Sequence, residues 1–143
     1  VLAVPPRHPL AERIGGPGVS VAELAGEPFI VLKKGQGFRK IALDLCRDAG
    51  VEPRIVFESG NIETVQSLVA AGMGIAFVPQ MVARPYGTPL PPVYLRLESA
   101  PTRTLVIASR TGRYRSKAAR AFIETLKETA PAAIASAPGG RRS

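Results

Sequence analysis

The chain has 143 residues with a hydrophobic fraction of 45%, enough for one globular domain with a real core. Its one cysteine, Cys46, and one histidine, His8, exclude an internal disulfide and any metal cluster built on several Cys or His ligands, and any Ser-His-Asp or Cys-His catalytic arrangement would have to use that single His. The formal net charge of +8 suggests a phosphate-rich partner, but the excess is local: residues 1–99 hold 10 basic and 9 acidic side chains, residues 100–143 hold 9 and 2.

The chain starts at Val1, with no charged segment leading into an apolar core, as expected of a piece of a longer protein. Leu2 to Val4 is a short apolar run ended by Pro5-Pro6, and Pro9 with Gly15-Gly16-Pro17-Gly18 marks a loop. His8, between Arg7 and Pro9, reads as a turn or hinge residue rather than a catalytic base. Ser20 and Glu23 have capping-box spacing, which predicts a short helix stopping at Gly26. Phe29 to Leu32 is a continuous β-branched and aromatic run, the pattern of a strand buried on both faces. After Gly35-Gln36-Gly37, residues Phe38, Ile41, Ala42, Leu45 and Ala49 recur at helical spacing until Gly50. Arg54 to Glu58 reads as a second strand. Ser59 or Asn61 then caps a helix with Ile62, Val65, Leu68 and Val69 on its apolar face, ending at Gly72. Ile75 to Val78 is a third buried strand. The middle of the chain therefore alternates strand and helix through right-handed crossovers and a parallel sheet.

The longest apolar run, Leu68 to Pro79, has 12 residues, well short of the roughly 18–20 that a spanning helix needs, so no membrane partner is expected. Pro85, Pro89, Pro91 and Pro92 mark a long irregular connection. Val93 to Leu97 alternates at period two, and Thr104 to Ala108 is a further apolar run; both read as strands. Ser116 caps a helix with Ala119, Phe122, Ile123 and Leu126 on its apolar face, and from Ala130 onward the lost periodicity predicts a disordered tail over 130–143.

Two helix N-termini, near Gln36–Phe38 and near Gly60–Ile62, fall at the carboxyl ends of parallel strands, the edge where open α/β sheets bind ligands and where free amides favour anions. Lys34, with Lys33, precedes the first of them and either attracts an anionic ligand or is a solvated loop cation. Gln36 suits a carboxylate or amide ligand, or is a surface side chain; Phe38 is either the first core residue of its helix or a pocket wall. Gly35-Gln36-Gly37 begins like a dinucleotide fingerprint, but Lys40 stands where the third glycine would be, so no nucleotide cofactor is implied. Cys46 packs as a small hydrophobe, since no second cysteine could resolve an oxidised thiol. The late cations Arg103, Arg110, Arg113, Arg115 and Lys117 are spread over loops, without a helix-turn-helix or an aromatic platform, so this stretch is not read as contacting nucleic acid itself.

Specific residues carry a family resemblance. Leu2-Ala3-Val4-Pro5, His8-Pro9-Leu10-Ala11, Glu23-Leu24-Ala25 before Pro28-Phe29-Ile30, Gly50-Val51-Glu52-Pro53, and Leu68-Val69-Ala70-Ala71-Gly72-Met73-Gly74-Ile75-Ala76-Phe77-Val78-Pro79 follow one another in the order and spacing of the effector-binding domain of LysR-type transcriptional regulators. The helix from Ser116 to Leu126 is similar to that domain's last helix. The resemblance implies a periplasmic-binding-protein-like α/β fold of type 2: one Rossmann-like lobe with a parallel-rich sheet, essentially complete, plus the returning part of the other. The effector-binding portion would span 1–129, with the second lobe over about 10–78 and the return to the first over about 93–129. A small-molecule inducer would bind the inter-lobe cleft against Gln36, Gly37, Phe38, Asn61, Ile62 and Leu105; Lys34 and the two helix N-termini add the expectation of an organic anion. The resemblance further implies a cytoplasmic homodimer or homotetramer that reaches DNA only through a winged helix-turn-helix outside this chain, with no catalytic residue, metal or cofactor. Two other readings compete: the solute-binding protein of a transporter, and an enzyme on the same fold, for which Lys34, Gln36, Ser59, Asn61 and Glu63 offer no convincing acid–base pair.

Overall fold

The computed structural model describes residues 1–84, 89–99, 101–102, 106–108, 112 and 116–135. The chain divides into two compact units, Val1–Pro101 and Thr102–Ser143.

In the first unit, β1 (Leu2–Val4), β2 (Pro28–Leu32), β3 (Arg54–Ser59), β4 (Ala76–Phe77) and β5 (Val93–Leu95) form the sheet framework. β2 and β3 pair in parallel, from Pro28 opposite Arg54 to Leu32 opposite Ser59, with a register shift that leaves Val56 as an extra residue in β3. On its other side β2 meets Ile75 in a parallel bridge, through Ile30 N to Ile75 O and Ile75 N to Pro28 O, both 2.8 Å. β4 then pairs antiparallel with β1, and β1 antiparallel with β5. The spatial order is therefore β3, β2, β4, β1, β5. The three parallel strands are those the sequence predicts, and the antiparallel pairs arise because β1 enters the sheet against their direction.

Two helices complete the layers: α1 (Gly37–Asp48) crosses from β2 to β3, and α2 (Ile62–Ala70) from β3 to β4. Strand alternation sorts the core between them. Leu2 and Val4 of β1 with Phe29 and Val31 of β2 pack with Ala42 and Cys46 of α1, whereas Ala3, Ile30, Ala76 and Val78 pack with Val65 and Val69 of α2. One helix thus covers each core face, the layering of a Rossmann-like lobe. Two glycines permit close backbone approach: a Cβ on Gly74 would run into the Pro28 carbonyl oxygen, and one on Gly18 would lie 2.7 Å from Glu98 N.

Several local expectations change form. The capping-box segment folds as a 3-10 helix, Val21–Leu24, with Glu23 accepting from Ser20 N at 2.9 Å. His8 caps a second 3-10 helix, Pro9–Arg13, its Nδ1 accepting from Leu10 N at 3.2 Å. In the second unit, α3 (Lys117–Ala135) begins behind Ser116, whose Oγ accepts from Ala119 N at 3.1 Å. The helix extends over 130–135, into the stretch expected to be tail, even though Pro131 lies within it. Val106–Ala108 is exposed and forms no strand, because no neighbour pairs with it among the described residues; Thr104 and Leu105 lie outside the described residues.

Candidate functional site

The carboxyl ends of β2 and β3 lie side by side, tied by Lys33 N to Ser59 O at 2.9 Å. Both helices that follow start from this edge. Gly35, with φ +89°, supplies the left-handed residue that turns the chain from β2 toward α1. The Gln36 side chain makes no capping bond, so the first amides of α1 have no side-chain acceptor from their N-cap. α2 differs: Asn61 Oδ1 accepts from Glu63 N at 2.6 Å and Thr64 N at 3.1 Å, and the buried Ser59 Oγ accepts from Asn61 N at 3.2 Å. Asn61, one of the two caps the sequence offers, closes the α2 start, whereas the Gln36 start of α1 has no such side-chain cap.

Two concavities open at this edge. A cleft of about 330 Å³ is lined by Leu32, Gln36, Gly60, Asn61, Ile62, Glu63, Pro79 and Val82. A shallower groove of about 590 Å³ is lined by Lys34, Gly35, Gln36, Gly37, Arg39, Lys40, Leu43, Asp44 and Arg47. Gln36 belongs to both. The cleft holds Gln36, Asn61 and Ile62 of the expected effector residues, and the groove holds Lys34, Gln36 and Gly37. Phe38 lines neither; it is half-buried and packs against the core cluster on the α1 side. Leu105 lies outside the described residues.

Sequence reading missed Leu32, Pro79 and Val82. Periodicity marked Leu32 as the end of a buried strand, and nothing in the sequence brings the segment after Pro79 beside the start of α2. The 3-10 helix Gln80–Val82 does so, making the far wall of the cleft.

Charge divides the two concavities. Among the described residues Glu63 is the one acidic or basic side chain lining the cleft, whose walls are otherwise apolar or amide. Among the described residues the groove carries Lys34, Arg39, Lys40 and Arg47 against one acid, Asp44. Within it, Lys40 and Arg47 hold Asp44 at 2.6 and 2.9 Å, and these contacts, led by the Lys40 hydrogen bond, keep its carboxyl below its ordinary pKa. Arg39 has a structural partnership: its guanidinium donates to Leu32 O at 2.6 Å and meets Glu58 at 2.7 Å, clamping the start of α1 to the ends of β2 and β3. Among the described residues no group of three His, Cys, Asp or Glu side chains is placed to hold a metal ion.

A sheet in this order, with a helix on each face and a ligand-sized cleft at the carboxyl edge, is a property of architecture, and sequence comparison decides the family. The model of the LysR substrate binding domain matches residues 1–131. The chain belongs to the LysR substrate-binding domain family. Its fold is accordingly the type 2 periplasmic-binding-protein-like α/β fold.

The LysR-type relatives are transcriptional regulators. The chain is 43% identical over 113 residues to the HTH-type transcriptional regulator YcgK of Bacillus subtilis (strain 168), covering 79% of this chain and 34% of YcgK. It thus spans about a third of the length of that curated relative. Among solved structures, the C-terminal domain of a probable LysR family regulator from Rhodococcus sp. RHA1 matches 88% of this chain and 62% of its own, with 28% identity and a TM-score of 0.72. The BenM effector-binding domain, solved with its effector benzoate, shares the fold at a TM-score of 0.57 and 22% identity, over 99% of this chain and 61% of its own. Among the described residues no helix is long and apolar enough to cross a membrane.

Proposed function

We propose that this chain is the ligand-sensing part of a cytoplasmic LysR-type regulator and that its effector is a small organic anion. The observation that carries this reading is the position of Gln36. It stands where the apolar cleft meets the basic groove, beside the α1 start that its own side chain leaves uncapped. An apolar body fits against Leu32, Ile62, Pro79 and Val82, while a carboxylate accepts from Gln36 and the Gly37 amide at the start of α1, with Lys34 nearby. The α2 start contributes less to anion binding, because Asn61 already occupies two of its amides and Glu63 adds a negative charge. No covalent step is involved: an effector that favours one arrangement of the domain shifts its population and, through contacts in a homodimer or homotetramer, changes how a DNA-binding domain outside this chain meets its operator.

Titration of benzoate and of neutral benzamide into the 143-residue chain, followed by NMR, tests the ligand class. Benzoate is expected to move the Gln36–Phe38 amides and the Ile62 and Val82 methyls, with a weaker response in Lys34→Gln, while benzamide moves them little. Equal responses to both probes would refute the anion reading. The regulatory step is tested in the full-length regulator, by operator binding with and without the effector that such titration identifies.

A further inference from the structure

The apolar face of α2 contains one residue that does not belong to it by type. Gln66 sits among Ile62, Val65 and Val69 and is 2% exposed. An amide buried in an apolar cluster is costly unless it is hydrogen-bonded, so its partners carry the information. Gln66 Oε1 lies 2.7 Å from the hydroxyl of Tyr94 on β5, and Gln66 Nε2 reaches Ile62 O, one turn back, at 3.4 Å. The same Tyr94 hydroxyl lies 3.2 Å from the carbonyl oxygen of Arg84.

One phenol therefore meets two segments that are far apart in sequence. Gln66 belongs to α2, whose first turn supplies Ile62 to the near wall of the cleft. Arg84 lies two residues past the 3-10 helix that supplies Val82 to the far wall, and Arg84 N bonds to Val82 O at 3.0 Å. A phenol carries one proton, so the two acceptors share or exchange a single donor. We propose that Gln66 and Tyr94 are positioning residues that set the two cleft walls relative to each other from behind, with Tyr94 on β5 as the shared anchor. This rests on the reading of the cleft as the effector site. Tyr94 is not among the described residues that line the cleft and acts through Arg84 and Gln66.

Two variants of the 143-residue chain test it. Tyr94→Phe keeps the ring and removes the hydroxyl. The amides of Val82, Ala83 and Arg84, which close the 3-10 helix, are expected to exchange hydrogen about 3- to 10-fold faster than in wild type, the equivalent of one lost hydrogen bond, while the Ala42 and Cys46 amides of α1 stay within about twofold. Gln66→Leu suits the apolar face and leaves the Tyr94 hydroxyl its contact with Arg84 O, so exchange at residues 82–84 is expected to stay at the wild-type rate while the Ile62 methyl resonances move. Unchanged exchange at 82–84 in Tyr94→Phe would overturn the proposal. So would equal acceleration in both variants, which would indicate general loosening of the core. With benzoate as probe, both variants are expected to bind about 3- to 10-fold more weakly than wild type. Lack of binding to wild type would count against the anion reading alone, because the exchange pattern is read without ligand.

Discussion

Gly74 tests the join between the parallel and antiparallel parts of the sheet. A Cβ added there would collide with the Pro28 carbonyl oxygen and lie 3.1 Å from Pro28 C and 3.4 Å from Ile30 Cγ1. That carbonyl accepts from Ile75 N at 2.8 Å, and Ile30 N donates back to Ile75 O at the same distance. Gly74→Ala must push β2 away from Ile75 and weaken both bonds, at about 1 kcal/mol each. Overpacking adds about 1–3 kcal/mol, and the lower chain entropy of alanine in the unfolded state returns about 0.4–1 kcal/mol. The net expectation is a loss of about 2–4 kcal/mol, read as a lower urea midpoint by circular dichroism with little change in slope. Gly37→Ala is the matched control: nothing lies within 4 Å of its Cβ and α1 begins there, so it should be neutral or stabilise by up to about 1 kcal/mol. If the two variants behaved alike, or if Gly74→Ala lost less than about 0.5 kcal/mol, the close approach of β2 to Ile75 would not be what joins the sheet.

Three other outcomes follow from the site's framework. Asn61→Ala removes the acceptor for two α2 amides and is expected to cost about 1 kcal/mol in urea unfolding, whereas Asn61→Asp keeps an acceptor and should cost little. Arg39→Ala loses the bonds to Leu32 O and Glu58 and should cost about 1–2 kcal/mol, while Lys40→Ala, which removes an exposed pair with Asp44, should stay within about 0.5 kcal/mol. Burial pushes the Cys46 thiol up to about 11, so the folded state holds its proton at pH values where the unfolded chain releases it. That contribution is fully present below the unfolded thiol pKa of about 8.5 and is lost as pH rises toward 11; Cys46→Ala should lack this part of the alkaline decline in urea stability, even if its stability at pH 7 is lower.

The parallel strands and both crossover helices were legible because each relies on local signals. Phe29 to Leu32 has the composition of a doubly buried strand, α1 and α2 carry helical apolar periods, and Gly50 and Gly72, at φ +70° and +84°, are the C-terminal stops the sequence marks. Gln36, Asn61 and Ile62 could be placed at one edge because right-handed crossovers bring both helix starts to the carboxyl ends of β2 and β3. β3 shows where local reading loses detail. Its Ile55, Val56 and Phe57 are 38–41% exposed because it lies at the sheet's edge and carries the bulge at Val56, and neither feature follows from its composition.

The sequence by itself determined the alternation of strand and helix, the near-neutral balance of the first 99 residues and the segment order that marks the LysR family, because propensity, period and spacing are properties of neighbouring residues. Tertiary structure alone decided that the segment after Pro79 forms a cleft wall, and that Gln66, on an apolar helix face, finds its partner 28 residues away in Tyr94. These depend on the strand order, which brings distant residues within hydrogen-bond reach through contacts that no local pattern encodes.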